Sequence, residues 1–258
     1  MKIDTKTFTD FINKACVGGS IVTLMLDFKE EGISCKVRSP DNVLLATTIL
    51  ESKHIAEYKS GDKLYIKDTR EILTKLKLLS GNMSLTLQEG QICCSDENGL
   101  SFTDKLGSEE VIDNVLEDKV ANELVQKFDG GCSIEKDKIA KITRAIDVMK
   151  AEKTEFVVEN KKLSVINPNK LNEKATLVLS FDYKDVTAQF NSDFLKSVFN
   201  VLGDGKLGIS IMRDDAPIMF KEKSEFIMFR CIIAPIKDDT EEDTKKDVVK
   251  EEEKKSEE

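Results

Sequence analysis

Residues 71 to 103 read EILTKLKLLSGNMSLTLQEGQICCSDENGLSFT, and residues 193 to 235 read DFLKSVFNVLGDGKLGISIMRDDAPIMFKEKSEFIMFRCIIAP. Each stretch holds an amphipathic helix, a glycine stop, an alternating strand, a short polar turn and further strand. A unit of that kind met twice in 258 residues points to a doubled architecture. The question is how far the doubling extends on either side.

It extends along most of the chain. Asp4-Thr5-Lys6-Thr7-Phe8 opens a first helix that collects Phe8, Phe11, Ile12, Ala15 and Cys16 on one face. Asp68 or Thr69 caps a second, with Ile72, Leu73, Leu76 and Leu79 together before Gly81. A third runs from about Glu135 to Lys150 with Ile139, Ile142, Ile146 and Met149 inward. The fourth starts at Asn191 or Ser192, turns Phe194, Leu195, Val198, Phe199 and Leu202 inward, and ends at Gly203. Strands fill the intervals: seven between Ile21 and Thr103, and seven more between Glu155 and Ala234. Each half therefore reads helix, strands, helix, hairpin. The predicted fold class is α+β, with two similar domains of helices on antiparallel sheets: residues 1–104 and 131–236, joined by a connector at 105–130.

Composition narrows the function. The chain is 40% hydrophobic and 34% charged, with a formal net charge of −9. From Lys237 onward, six Lys face eleven Asp or Glu, so this tail carries −5 of that charge and the body −4. High charge without apolar periodicity predicts a disordered, solvated tail over 237–258. No run approaches the ~20 apolar residues of a membrane span, and Met1-Lys2-Ile3-Asp4-Thr5 lacks the order of a secretory signal, so an intracellular protein with no membrane partner is expected. Six scattered cysteines form no Cys-x-x-Cys pair and are expected to be reduced core thiols.

Nor does a catalytic constellation emerge. His54 is the lone histidine, without a cysteine or serine motif around it. Gly203-Asp204-Gly205 follows a helix instead of opening one, so it is a turn and not a phosphate loop. Asp214-Asp215 precedes Pro217 as turn residues. The expectation is a non-enzyme without metal or cofactor.

Four short strings, in order and spacing, make the chain resemble a DNA sliding clamp of the proliferating-cell-nuclear-antigen type, in its cellular, archaeal or phage forms. They are Leu78-Leu79-Ser80-Gly81-Asn82, Ile139-Ala140-Lys141-Ile142-Thr143-Arg144, Asp215-Ala216-Pro217-Ile218 and Ile233-Ala234-Pro235-Ile236. The resemblance covers residues 1 to 236. It implies a homotrimeric ring whose helices line a hole for duplex DNA and whose sheets form the outer wall. By position, its subunit interface would pair Leu100, Ser101, Phe102 and Thr103 with Thr176, Leu177, Val178, Leu179, Ser180 and Phe181. It implies as partners a DNA polymerase, a clamp loader ATPase, and peptide-motif proteins such as a nuclease or ligase.

Two surfaces follow. Lys138, Lys141 and Arg144 point outward from the third helix, and Lys6, Lys14, Arg70, Lys75, Lys77 and Lys196 from the others. Such faces suit either plain solvation or sequence-independent attraction to phosphates, and Asp10 and Asp147 interrupt them in a way that fits loose sliding. By position in the family, a partner-peptide pocket would combine Val37, Val43 and Leu45, which also suit core positions, with Pro217, Ala234, Pro235 and Ile236. The connector would add Val111, Ile112 and Val115. Here the connector departs from the family: it is acidic, lacks a Leu-Gly-Ile-Pro-like stretch, and its spacing allows a short helix. A specialised subunit of a heteromeric or checkpoint clamp, and a structural oligomer without DNA, remain the alternatives.

Overall fold

Three of the five described α-helices begin where a side chain supplies acceptors for their orphan amides. The structure, a computed structural model, describes residues 1–236 except 89, 110, 111, 113, 129, 130, 180–183 and 212. Expectations made for Val111, Ser180, Phe181 and the tail from Lys237 lie outside these residues. Asp4 accepts from the Thr7 N–H, Asp68 from Arg70 and Glu71, and Asn191 from Asp193 and Phe194.

The first half runs β1 (Lys2–Asp4), α1 (Thr5–Ala15), β2 (Leu24–Lys29), β3 (Gly32–Arg38), β4 (Leu44–Glu51), β5 (Lys63–Ile66), α2 (Thr69–Leu76), β6 (Asn82–Gln88), β7 (Gln91–Asp96) and β8 (Ser101–Lys105). A connector helix, α3 (Asp118–Gln126), follows. The second half runs β9 (Cys132–Ile134), α4 (Lys136–Met149), β10 (Lys153–Glu159), β11 (Lys162–Asn167), β12 (Lys170–Val178), β13 (Val186–Asn191), α5 (Ser192–Val201), β14 (Lys206–Ile211), β15 (Ile218–Lys223) and β16 (Ile227–Ile233).

The repeat is complete at the level of pairing. Order β5-β2-β3-β4 recurs as β13-β10-β11-β12, and β1-β6-β7-β8 recurs as β9-β14-β15-β16. The halves meet where β4 pairs antiparallel with β16, from Leu44 opposite Ile233 to Leu50 opposite Ile227. That junction fuses two four-stranded pieces into one eight-stranded sheet, while β8 and β12 remain edges. The helices pack side by side in the order α2, α1, α5, α4. Their inward residues, among them Phe8, Phe11, Ile142, Leu195 and Val198, are fully buried in a core continuous across both halves.

Three strands differ from the sequence reading. The three-residue β1 and β9 close their sheets against β6 and β14, and are too short to show a period. The edge strand β12 begins at Lys170, not Thr176, and ends at Val178; Leu179 beyond it is buried. Most of β12 is exposed, so its polar first half lacks the apolar alternation that marks a half-buried strand.

A buried ion pair also ties the halves together. The Lys14 ammonium lies 3.4 Å from the Glu222 carboxylate and 2.6 Å from that of Asp10. Lys14 and Glu222 are 1% and 2% exposed. Glu222 also accepts the Gly203 N–H at 2.9 Å, and a Cβ at Gly203 would stand 2.8 Å from that carboxylate, so a larger residue there would have to displace it. Lys14 thus belongs to the interior, not to the outward cations among which periodicity places it. Its partner is far away in sequence and invisible to a helical wheel.

Removing one member of such a pair strands the other charge. Lys14→Met is therefore expected to destabilise the fold by about 3–5 kcal/mol in urea unfolding. Lys14→Met combined with Glu222→Gln, which keeps an acceptor for Gly203, should recover much of that loss. An unchanged midpoint in Lys14→Met would contradict the assignment.

Candidate functional site

The helix row carries most of its cations on the surface. Lys6, Arg70, Lys77, Lys141 and Arg144 are exposed. Lys6, Lys77, Lys141 and Arg144 have no ion pair within 4 Å among the described residues, whereas Arg70 donates to the Gly19 carbonyl at 3.3 Å. The remaining three are half-buried and tied: Lys75 to Glu71 and Asp104, Lys138 to Glu135, and Lys196 to Asp193 and Asp147. Sequence reasoning missed Lys206 and Lys223, which line the cleft beside α1 together with Lys6 and Lys77. Being on strand ends from the second half, they have no helical period to reveal them. A surface of this type offers mobile point charges without a bidentate fork aimed at one place, which suits backbone phosphates and not base edges.

Leu45, on the opposite side of the shared sheet, and Val43, which packs against the main core, lie beside the chain's last described residues. The Ala234 N–H donates to the Val43 carbonyl at 2.8 Å, and Ile232 faces Leu45. Pro217 leads into Ile218, which pairs with Ile233, and the Ile236 N–H donates to Gln189. Val43, Leu45, Pro217, Ala234, Pro235 and Ile236 are all half-buried. Val37 does not join them. It pairs with Ala46, one residue out of phase with Leu45, so it points to the other face and is fully buried in the main core.

The connector is bound more tightly than a loop. Arg38 N–H donates to the Asn114 carbonyl, Leu116 N–H to that of Lys36, and Asn114 Nδ2 to that of Thr23. Asn114, Val115 and Leu116 thereby fill the fork where β2 leaves β3, with Val115 bridged to Val37. Ile112 is 6% exposed and lacks the open placement expected of a peptide-binding wall, whereas Val115 is half-buried like the other pocket candidates. The short helix that the spacing of Val111, Ile112, Val115 and Leu116 allows is not formed at Ile112, Val115 or Leu116; a helix, α3, begins downstream at Asp118, and its apolar residues Leu124 and Val125, with Phe128, pack on Leu45, Met219 and Ile232 as a second, smaller apolar cluster. Sequence reasoning missed these anchors, because their contacts come from strands of both halves.

No described group of three or more His, Cys, Asp or Glu is placed to hold a metal. His54 stacks edge-on against Phe226, with ring centroids 4.7 Å apart. No described helix is long and apolar enough to cross a membrane.

Asp118 anchors the start of α3. It pairs with Lys29 and, at 2.9 Å, with Lys36, and these hydrogen bonds from Lys29 and then Lys36 hold its carboxyl below the ordinary 3.8. A depressed carboxylate pKa stabilises the folded contact above the unfolded value and loses that contribution as pH falls through the folded one. Amide exchange of α3 is expected to accelerate below about pH 4 relative to the sheet, and Asp118→Asn should exchange faster at neutral pH and lose that pH dependence. A pH response equal in both proteins would contradict the anchor.

No family model and no curated protein sequence matches the chain. Solved structures do. Proliferating cellular nuclear antigen from Entamoeba histolytica is 16% identical with a TM-score of 0.75, over 92% of this chain and 98% of that one. The antigen from A. fulgidus, solved with the C-terminal region of FEN-1 bound, is 13% identical with a TM-score of 0.73 over 92% and 98%. That from Thermococcus kodakaraensis is 16% identical with a TM-score of 0.71 over 92% and 99%. The doubled α+β architecture described above is therefore the sliding-clamp fold of the proliferating cell nuclear antigens.

Proposed function

We propose that this chain is a non-enzymatic DNA sliding clamp, a homotrimeric ring that encircles duplex DNA and tethers a polymerase and other replication and repair enzymes to it. The observation that carries the proposal is the mismatch between the repeat and its edges. Within the chain, β4 pairs with β16. The strands that occupy their places in the other half are β12 and β8, and both are edges. A second copy offering its β8 to this β12 repeats between chains the junction made within one. Head-to-tail repetition of one junction generates a ring when the rotation closes.

The repeat also supplies a register. Lys29 and Gly32 flank a two-residue turn as Glu159 and Lys162 do, and following the pairings outward aligns Thr48 with Ala175. Ile3 and Ile134 precede the helix caps Asp4 and Glu135, and the same procedure aligns Asp96 with Glu222 and Leu100 with Phe229. Phe229 faces Thr48 inside the chain, so Leu100 is assigned opposite Ala175 between chains.

Exposed apolar side chains fit the same junction. Val17 and Val201 are buried where α1 meets α5, and a Cβ at the adjacent Gly18 would stand 3.4 Å from Val201. Their equivalents are Val148 on α4 and Leu78 just after α2, which are 77% and 67% exposed. A neighbouring copy would bring these two together. In such a ring the helix row faces the DNA, where Lys6, Lys77, Lys141 and Arg144 attract phosphates, and the Leu45 side of the sheet forms the outer wall for partner peptides. The A. fulgidus antigen with its FEN-1 segment supports a nuclease as one such partner; polymerase, ligase and a loader ATPase complete the set expected of a clamp.

A cysteine pair, Leu100→Cys with Ala175→Cys, tests enclosure directly. After mixing with nicked circular DNA at low salt, oxidation is expected to give a covalent three-chain species that stays on the circle in about 1 M salt, where screening reaches ~3 Å. Linearising the DNA should then release it, and Lys141→Glu with Arg144→Glu should lower the fraction trapped. Absence of the interchain disulfide, or salt release from intact circles, would contradict the proposal.

A further inference from the structure

The outer face of the shared sheet is already occupied. Leu45, Ile232 and Met219 form one apolar row across β4, β16 and β15, each opposite the next. Phe128 is 5% exposed on that row, and Leu124 and Val125 of α3 complete the cluster, which is separate from the main core. Little else holds α3. Ala121 is its one fully buried residue, and Glu117 at its start makes no side-chain cap. Asp118 reaches Lys29 and Lys36 from a side chain that is itself 57% exposed. A nine-residue helix is marginal by itself in water, so its apolar contacts with the row are what keep it formed.

Both ends of this segment are fixed. Upstream, Asn114 to Leu116 are hydrogen-bonded into the fork between β2 and β3. Downstream, Gly131 adopts a φ of +110° and passes so close to β14 that a Cβ would lie 2.4 Å from the Ile209 carbonyl. A helix released from the row would therefore remain tethered beside it, at a high effective concentration.

We propose that α3 is an internal ligand of this face, competing with the partner peptides that the clamp reading assigns to it. The inference rests on that reading. A partner reaches the row by lifting α3 and supplying its own anchors in place of Leu124, Val125 and Phe128. The peptide class that fits presents an aliphatic side chain and, three residues later, an aromatic one, as Val125 and Phe128 do. Its apparent affinity is reduced by the fraction of molecules in which α3 is seated. Partner access is thereby gated by the clamp itself.

The test compares the full-length wild type, Asp118→Asn, and Leu124→Ala with Phe128→Ala, using a synthetic peptide of the A. fulgidus FEN-1 C-terminal region as the probe in calorimetry. The double variant is expected to bind about tenfold or more tightly than wild type, with Asp118→Asn between them. Amide exchange on the wild type should show α3 opening at least ~100-fold more readily than β16, a readout that does not depend on either variant folding. Equal affinities in all three proteins, or weaker binding by the double variant, overturn the competition while leaving the docking face in place. An α3 that exchanges only with the sheet also overturns it. No binding by any of the three, with α3 opening freely, removes the docking reading and the inference with it.

Discussion

Everything else in the molecule is positioned by the pairing of β4 with β16. Seven residues on each strand run opposite one another, from Leu44 and Ile233 to Leu50 and Ile227. The two halves therefore share backbone hydrogen bonds as well as apolar contact, and one sheet crosses the boundary between them. This pairing aligns the helices into a single row on one face and lays Leu45, Ile232 and Met219 in register on the other. The cationic face and the face proposed for docking are thus two sides of one junction. A residue on either side that disturbs the pairing would act on both.

The junction inside the chain and the one proposed between chains are not equivalent. Inside, Lys14 and Glu222 bridge the halves from fully buried positions. Between copies, Asp96 would stand in the place of Glu222, hydrogen-bonded to the Ser80 N–H as Glu222 is to that of Gly203. The place of Lys14, however, is taken by Ala145, counted from the aligned caps Asp4 and Glu135. The proposed interface keeps the strand pairing and the apolar helix contact but lacks the buried ion pair. A ring with that asymmetry would part between chains before it parted within one, and a ring that must open to admit DNA needs such a preference.

Much of this architecture is legible in the sequence because it is local. Asp4 caps the helix it opens, and of the alternatives Asp68 or Thr69 and Asn191 or Ser192 the Asx residue is the cap each time, since an Asx side chain beside an amphipathic run acts within three residues. The doubled order of strands was legible for the same reason. What escapes is set by distance. Lys14 sits on a polar helical stripe, yet Glu222 from the other half draws it inside. Val37 reads as a pocket residue until the register of β3 against β4 turns it to the opposite face from Leu45. The edge strand β12 was legible only at its apolar end, because Lys170, Asn172, Glu173 and Lys174 do not alternate with buried residues. The α3 anchors Leu124, Val125 and Phe128 escaped for the same reason, because the strands they lie on come from both halves.

The central claim is that the free edges β8 and β12 find each other in neighbouring copies and close a ring. The native mass of the full-length chain in solution tests it most directly, by light scattering over a concentration series. The account predicts a single species at three times the chain mass of 29.0 kDa. It also predicts that proline at Thr103, the middle residue of β8, shifts that species to the monomer: Leu100 and Leu106 bond to the β7 side, so the Thr103 N–H faces the free edge, and the imino acid removes that donor. A wild-type chain that stays monomeric at high concentration would contradict it.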